Sequence, residues 1–153
     1  MSSVKSIVSK LHAVPWGEHM CGSSALSALL DKPPTEIEKV VAQYRVDRGE
    51  RRRAVKCMYA SEISPVVDRL GGVAIALRFF PKLPTFVKFV EMMQSVGDRS
   101  PYLVLVTGHF LAYQDGWIVD TTTGRKPVPA YQYEQQNKRV VLVWKIARMR
   151  ENL

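Results

Sequence analysis

Gly108-His109-Phe110-Leu111-Ala112-Tyr113-Gln114-Asp115-Gly116-Trp117-Ile118-Val119-Asp120 sets an Asp-Gly pair between two apolar, β-favouring runs. A type I′ turn needs positive φ at both central residues, and Asp-Gly is among the few pairs that supply it with little strain. The stretch therefore predicts a hairpin with strands over 108–114 and 117–122. A two-residue loop at 115 and 116 pairs Gln114 with Trp117, Tyr113 with Ile118, Leu111 with Asp120 and His109 with Thr122. Directly opposed residues share a sheet face, as do residues two apart on one strand. His109 and Asp120 then become diagonal neighbours on one face, about 7 Å apart at the backbone, a gap that an imidazole and a carboxylate can span. A three-residue loop would send them through opposite faces.

A third chemistry-bearing residue lies upstream, in Cys21-Gly22-Ser23-Ser24-Ala25-Leu26. The run reads as the opening of a helix over 21–30 that Pro33-Pro34 ends. Its apolar residues cover most of the circumference, so it should be largely buried. Unpaired N–H groups and the positive end of the helix dipole favour thiolate over thiol at such a position, and the thiolate is the reactive form. Cys21, His109 and Asp120 thus make a candidate nucleophile, base and orienting carboxylate.

The order of a Cys at a helix start, a long insertion, Gly-His-aromatic on a strand and then Asp resembles the papain-like cysteine peptidases. The look is most like that of the bacteriocin-processing (double-glycine) peptidase domains. There too an apolar strand after a Pro precedes the His strand, here Pro101-Tyr102-Leu103-Val104-Leu105-Val106-Thr107-Gly108-His109-Phe110. The match covers the Cys helix and residues 101–124, about a quarter of the chain. The resemblance implies Cys21 as nucleophile, His109 as general base and then acid, and Asp120 holding the imidazole. It also implies an α+β papain-like fold, with the Cys helix on a mostly antiparallel sheet of about four to six strands. Papain-like enzymes carry a Gln shortly before the Cys as an oxyanion donor, whereas residues 1–20 contain none. The Cys21 N–H remains as one donor, and His19 or Trp16 are candidates for a second; a lost donor costs on the order of a hundredfold in rate. Gly108 and Trp117 are candidates for the edge of a substrate groove.

The remaining chain reads as helices first and strands later. Helices are expected over 4–11, over 36–44 with a Thr35/Glu38 capping box, from Ser61 or Ser64 to Gly71-Gly72, and over 86–93. The apolar run 73–79 predicts a buried strand, and further strands are expected over 102–107 and 139–146. No internal repeat or low-complexity linker divides the 153 residues, of which 46% are hydrophobic, and a single domain is expected. The first 15 residues lack a secretory apolar core, and no segment approaches about 18 uninterrupted apolar residues, so the expectation is a cytoplasmic protein without membrane contact. Two cysteines without CxxC spacing give no disulfide framework. Cys21, Cys57, His12, His19 and His109 show no zinc-ligand spacing, and neither metal nor cofactor is expected.

The substrate class expected of such a triad is a protein or peptide, cleaved through a thioester; resolution by an amine instead of water would make the same residues an acyltransferase or transglutaminase-like enzyme. The small size would suit a phage or bacterial effector. Plainer roles stay open: Cys21 as a small core residue, Asp120 as the cap of the Thr121-Thr122-Thr123-Gly124 turn, and Trp16 and Trp117 as core aromatics. Cys57, without a comparable context, is expected to be structural. The net charge of +8 opens a different class of function. Arg51, Arg52 and Arg53, within the basic stretch 45–56, are candidate contacts for nucleic acid or an acidic protein. That stretch carries no aromatic residue for base stacking.

Overall fold

Asp115 (φ 51°) and Gly116 (φ 83°) both adopt the left-handed conformation that a type I′ turn demands. The computed structural model describes residues 21–55, 57–77, 82–119 and 127–148, with Cys21 and Arg148 through their backbone alone. In chain order come α1 (Cys21–Leu30), α2 (Pro34–Asp47), a 3-10 turn (Ala60–Glu62), α3 (Ile63–Arg69), β1 (Gly72–Leu77), α4 (Phe86–Ser95), β2 (Pro101–Val106), β3 (His109–Gln114), β4 (Trp117–Val119), β5 (Val128–Pro129), a second 3-10 turn (Ala130–Gln132) and β6 (Val140–Arg148). The strands form one sheet in the order β1-β6-β2-β3-β4-β5. Every neighbouring pair is antiparallel. The molecule is therefore α+β, as the sequence predicts. Among the described residues no helix is long and apolar enough to cross a membrane.

Strand alternation divides the apolar residues between two cores. On one face Leu103, Phe110, Ala112, Val119, Trp144 and Ile146 pack with α1, α2 and α3 through Leu26, Ile37, Val41, Ile63 and Val67. On the other, Tyr102, Val104, Val106, Leu111, Tyr113, Ile118 and Val143 pack with Phe86, Phe89 and Met93 of α4 and with Tyr133. Edge-on aromatic contacts, Phe89 on Tyr113 at 5.2 Å and Phe86 on Tyr133 at 4.9 Å, lock the second core. Burial on both faces explains why β2 reads as an almost unbroken apolar run.

Several boundaries depart from expectation. α2 starts at Pro34, with Pro33 as N-cap and no side-chain cap bond, so the Thr35/Glu38 capping box does not form. Proline at the first helical position gives up only an N–H that would have no intrahelical partner, and Thr35 falls inside the helix. β1 is an edge strand with Ile75 51% exposed, not the buried strand its composition suggests. β5 is two residues long and follows no alternation pattern. The expected helix over 4–11 and the strand ends at 78–79 and 120–122 lie outside the described residues.

A charged clasp joins α2 to the segment before α3. Arg45 Nε and Nη2 donate to the two carboxylate oxygens of Glu62 at 2.6 and 2.9 Å, the Tyr59 N–H adds a bond of 2.9 Å, and Glu62 is 2% exposed. Burial pushes the Glu62 carboxyl up, but the Arg45 guanidinium and the Tyr59 N–H pull it net below its ordinary value. Glu62→Gln should cost about 3 kcal/mol at pH 7, because it leaves a partly buried guanidinium without its counter-charge. A depressed folded value means that the stabilisation is full above the ordinary carboxyl range and fades as pH falls through the lower folded value. Urea denaturation of both proteins from pH 7 to pH 3 checks this; a stability gap that did not narrow with acid would contradict it.

Candidate active site

The two ends of α1 are held by different parts of the chain. At its C-terminal end, a β-carbon built on Gly72 would sit 3.3 Å from Leu30 Cδ2, 3.1 Å from Val67 Cγ1 and 2.9 Å from the Ala147 carbonyl oxygen. At its N-terminal end, a β-carbon on Gly22 would sit 3.2 Å from both Cβ and Sδ of Met58. Sheet register gives these contacts a direction. Gly72 pairs with Arg148, and Pro101 with Gln114, so these residues mark one end of the sheet. His109, Val106, Val119 and Leu77 mark the opposite end. Met58 lies just before the 3-10 turn that leads into α3. The N-terminus of α1, where Cys21 stands, therefore points away from Gly72 and toward the Met58 segment.

His109 is the first residue of β3, half-buried, opposite Val106 across the Thr107-Gly108 turn. Gly108 has φ 79° and open space where a side chain would lie, so it borders solvent next to the imidazole. By register His109 shares the face of Val106 and Leu111, which α4 covers, while α1 covers the other face. Cys21 and His109 thus do not stand over one face of the sheet. An approach between them runs around the strand ends, past the Gly108 turn.

The expected hairpin register is present: Gln114 pairs with Trp117, Tyr113 with Ile118 and Ala112 with Val119. Asp120, next in sequence, and the pairs Leu111–Asp120 and His109–Thr122 lie outside the described residues, as do Trp16 and His19. Trp117 needs a correction. It pairs with Gln114 and Pro129, at the end of β3 away from His109, about 17 Å along the strand at roughly 3.4 Å per residue. The same turn that sets the register keeps Trp117 beside itself, so this residue borders no groove next to His109.

Polar side chains gather at the first turn of α1. Ser23, Ser24 and Ser27 are buried, the Ser23 side chain hydrogen-bonds the Glu38 side chain from α2, and the buried Ser24 Oγ and Glu38 Oε2 have no partner among the described residues. Burial raises the Glu38 carboxyl above its ordinary value, and the Ser23 bond offsets only part of that. Among the described residues no group of three or more His, Cys, Asp or Glu gathers as a metal would require.

The basic stretch does not act as one block. Arg51 and Arg53 line a cavity of about 560 Å³ with Arg45, Glu50, Cys57 and Tyr59, whereas Arg52 turns onto α2 and donates to Gln43 Oε1. Cys57, expected to be structural, is exposed in that cavity. Tyr59 was missed from sequence, and Arg45 was read only as part of the basic stretch; the one available signal was an aromatic residue three positions beyond that stretch.

Gly72→Ala should lower stability by about 1–3 kcal/mol, since its new methyl group meets a backbone carbonyl that cannot yield and the anchor of α1. Gly22→Ala should cost less, because Met58 is flexible and can move. Urea unfolding of the two variants checks the order; an equal or reversed cost would contradict this seating of α1. No family model, curated protein or solved structure matches the chain.

Proposed function

We propose that the chain is a cysteine hydrolase of papain-like type acting on an amide bond, with Cys21 as nucleophile, His109 as base and then acid, and Asp120 as the carboxylate that orients His109. What supports the reading is the direction of α1: its N-terminus is turned away from Gly72, which lies at the end of the sheet opposite to His109. The left-handed Asp115-Gly116 pair supports it further, because the two-residue loop it makes is the register on which the His109–Asp120 pairing depends. In this mechanism the imidazole takes the thiol proton, the thiolate adds to the substrate carbonyl, and the imidazolium returns the proton to the leaving amine. Water, activated by the same imidazole, then clears the thioester. The Cys21 N–H, with His19 or Trp16, would steady the oxyanion. The substrate is a peptide or protein, and the site is a cytoplasmic one in this reading.

A second reading, a noncatalytic fold that binds an acidic partner, is favoured by one observation, the arginine-lined cavity. Alkylation separates the two. Because Cys57 is exposed, the experiment uses Cys57→Ser, which leaves Cys21 as the single remaining cysteine of the two in the chain. An ordinary thiol is almost fully protonated at pH 5.5 and reacts slowly with iodoacetamide, whereas a thiolate held by an imidazolium keeps reacting. The proposal expects persistent labelling at pH 5.5 that falls about a hundredfold in the added His109→Ala variant. Labelling that simply follows an ordinary thiol, with or without His109, would overturn it.

A further inference from the structure

We infer that the cavity between α2 and the 57–59 segment is a binding site for a nucleotide, that is, a phosphate ester carrying an aromatic base. The inference is independent of the hydrolase reading.

The site is assembled by an extended segment read at alternate residues. Met58 is 6% exposed and points inward to Gly22, while Cys57 and Tyr59 on either side of it line the cavity. Tyr59 is 61% exposed. The Arg45 guanidinium lies 5.4 Å from its ring centroid and is fixed there by Glu62 and by a 2.7 Å bond to the Cys57 carbonyl. The ring is therefore held in place on one side and open on the rest of its surface, which is the arrangement a stacking platform needs.

Charge completes the fit. Arg45 is neutralised by Glu62, but Arg51 and Arg53 line the same cavity and, among the described residues, make no ion pair to a carboxylate. Two guanidinium groups with free donors suit phosphate oxygens, which they bind in a bidentate manner. A volume of about 560 Å³ lies within the range of small-molecule sites. A base on Tyr59 and phosphates at Arg51 and Arg53 account for all three unsatisfied features. An acidic peptide would use the arginines and leave the aromatic surface without a role. Glu50, also on the cavity wall, adds a negative charge that disfavours a long uninterrupted polyanion.

The test is binding of three probes to the full chain by calorimetry at low salt: adenosine triphosphate, a short single-stranded oligothymidylate, and inorganic tripolyphosphate. Nucleotide or oligonucleotide should bind, and Arg51→Ala with Arg53→Ala should weaken it about tenfold or more. Tyr59→Leu should weaken it about 5- to 150-fold and leave tripolyphosphate unchanged. Arg52→Ala, whose side chain is turned to Gln43, should change affinity less than twofold. The stronger of the first two probes separates a free nucleotide from a unit of single-stranded nucleic acid. Because Tyr59→Leu also disturbs the Arg45 contact, protection of Cys57 from alkylation in the unmutated protein gives a second readout: bound nucleotide should slow it. No binding, tripolyphosphate binding as tightly as nucleotide, or an Arg52→Ala loss equal to that of Arg51 and Arg53 would overturn the inference.

Discussion

Two consecutive residues in the left-handed conformation, Asp115 and Gly116, set the phase of the sheet on which everything else is mounted. With the loop held to two residues, Tyr113 and Ile118 fall on the α4 face and Ala112 and Val119 on the α1 face. One added residue would exchange those faces along β4. The phase passes through β3 to β2 and β6, whose alternate side chains fill the two cores. Ala112 shows the consequence: a small residue under α1 leaves room for a helix whose own apolar side chains are buried almost throughout.

A sheet buried on both sides constrains the chemistry. Cys21 belongs to the layer above one face and His109 to the alternation of the other, so the two can cooperate only where the strands stop. Gly108, with positive φ and open space beside it, makes the turn that ends β2 and starts β3 at that border. The anchoring of α1 at Gly72 and Met58 directs its N–H groups and the positive end of its dipole away from the Gly72 end of the sheet.

Much of this was legible in the chain. The Asp-Gly turn, the Cys21–Leu30 helix and the strands of the second half follow from turn chemistry, Pro33-Pro34 and apolar periodicity, all local signals. What stayed hidden was non-local. Nothing in Gly72-Val73-Ala74-Ile75-Ala76-Leu77 marks an edge strand, because edge or centre is settled by which strand pairs with it. Trp117 is a groove candidate in the sequence, yet hairpin geometry carries it to the end of β3 away from His109. The arginine stretch seemed to lack an aromatic partner because Tyr59 enters its cavity only through the extended path of residues 57–59. The clasp between Arg45 and Glu62 likewise joins groups 17 residues apart.

The account stands or falls on whether Cys21 and His109 meet around the end of the sheet. Cross-linking measures that proximity without relying on activity. In a Cys57→Ser, His109→Cys protein the thiols at 21 and 109 are the only two present, and dibromobimane, a short bifunctional reagent, becomes fluorescent when both of its arms react. The account predicts a fluorescent intrachain product joining positions 21 and 109; mono-adducts alone, in a folded protein, would contradict it.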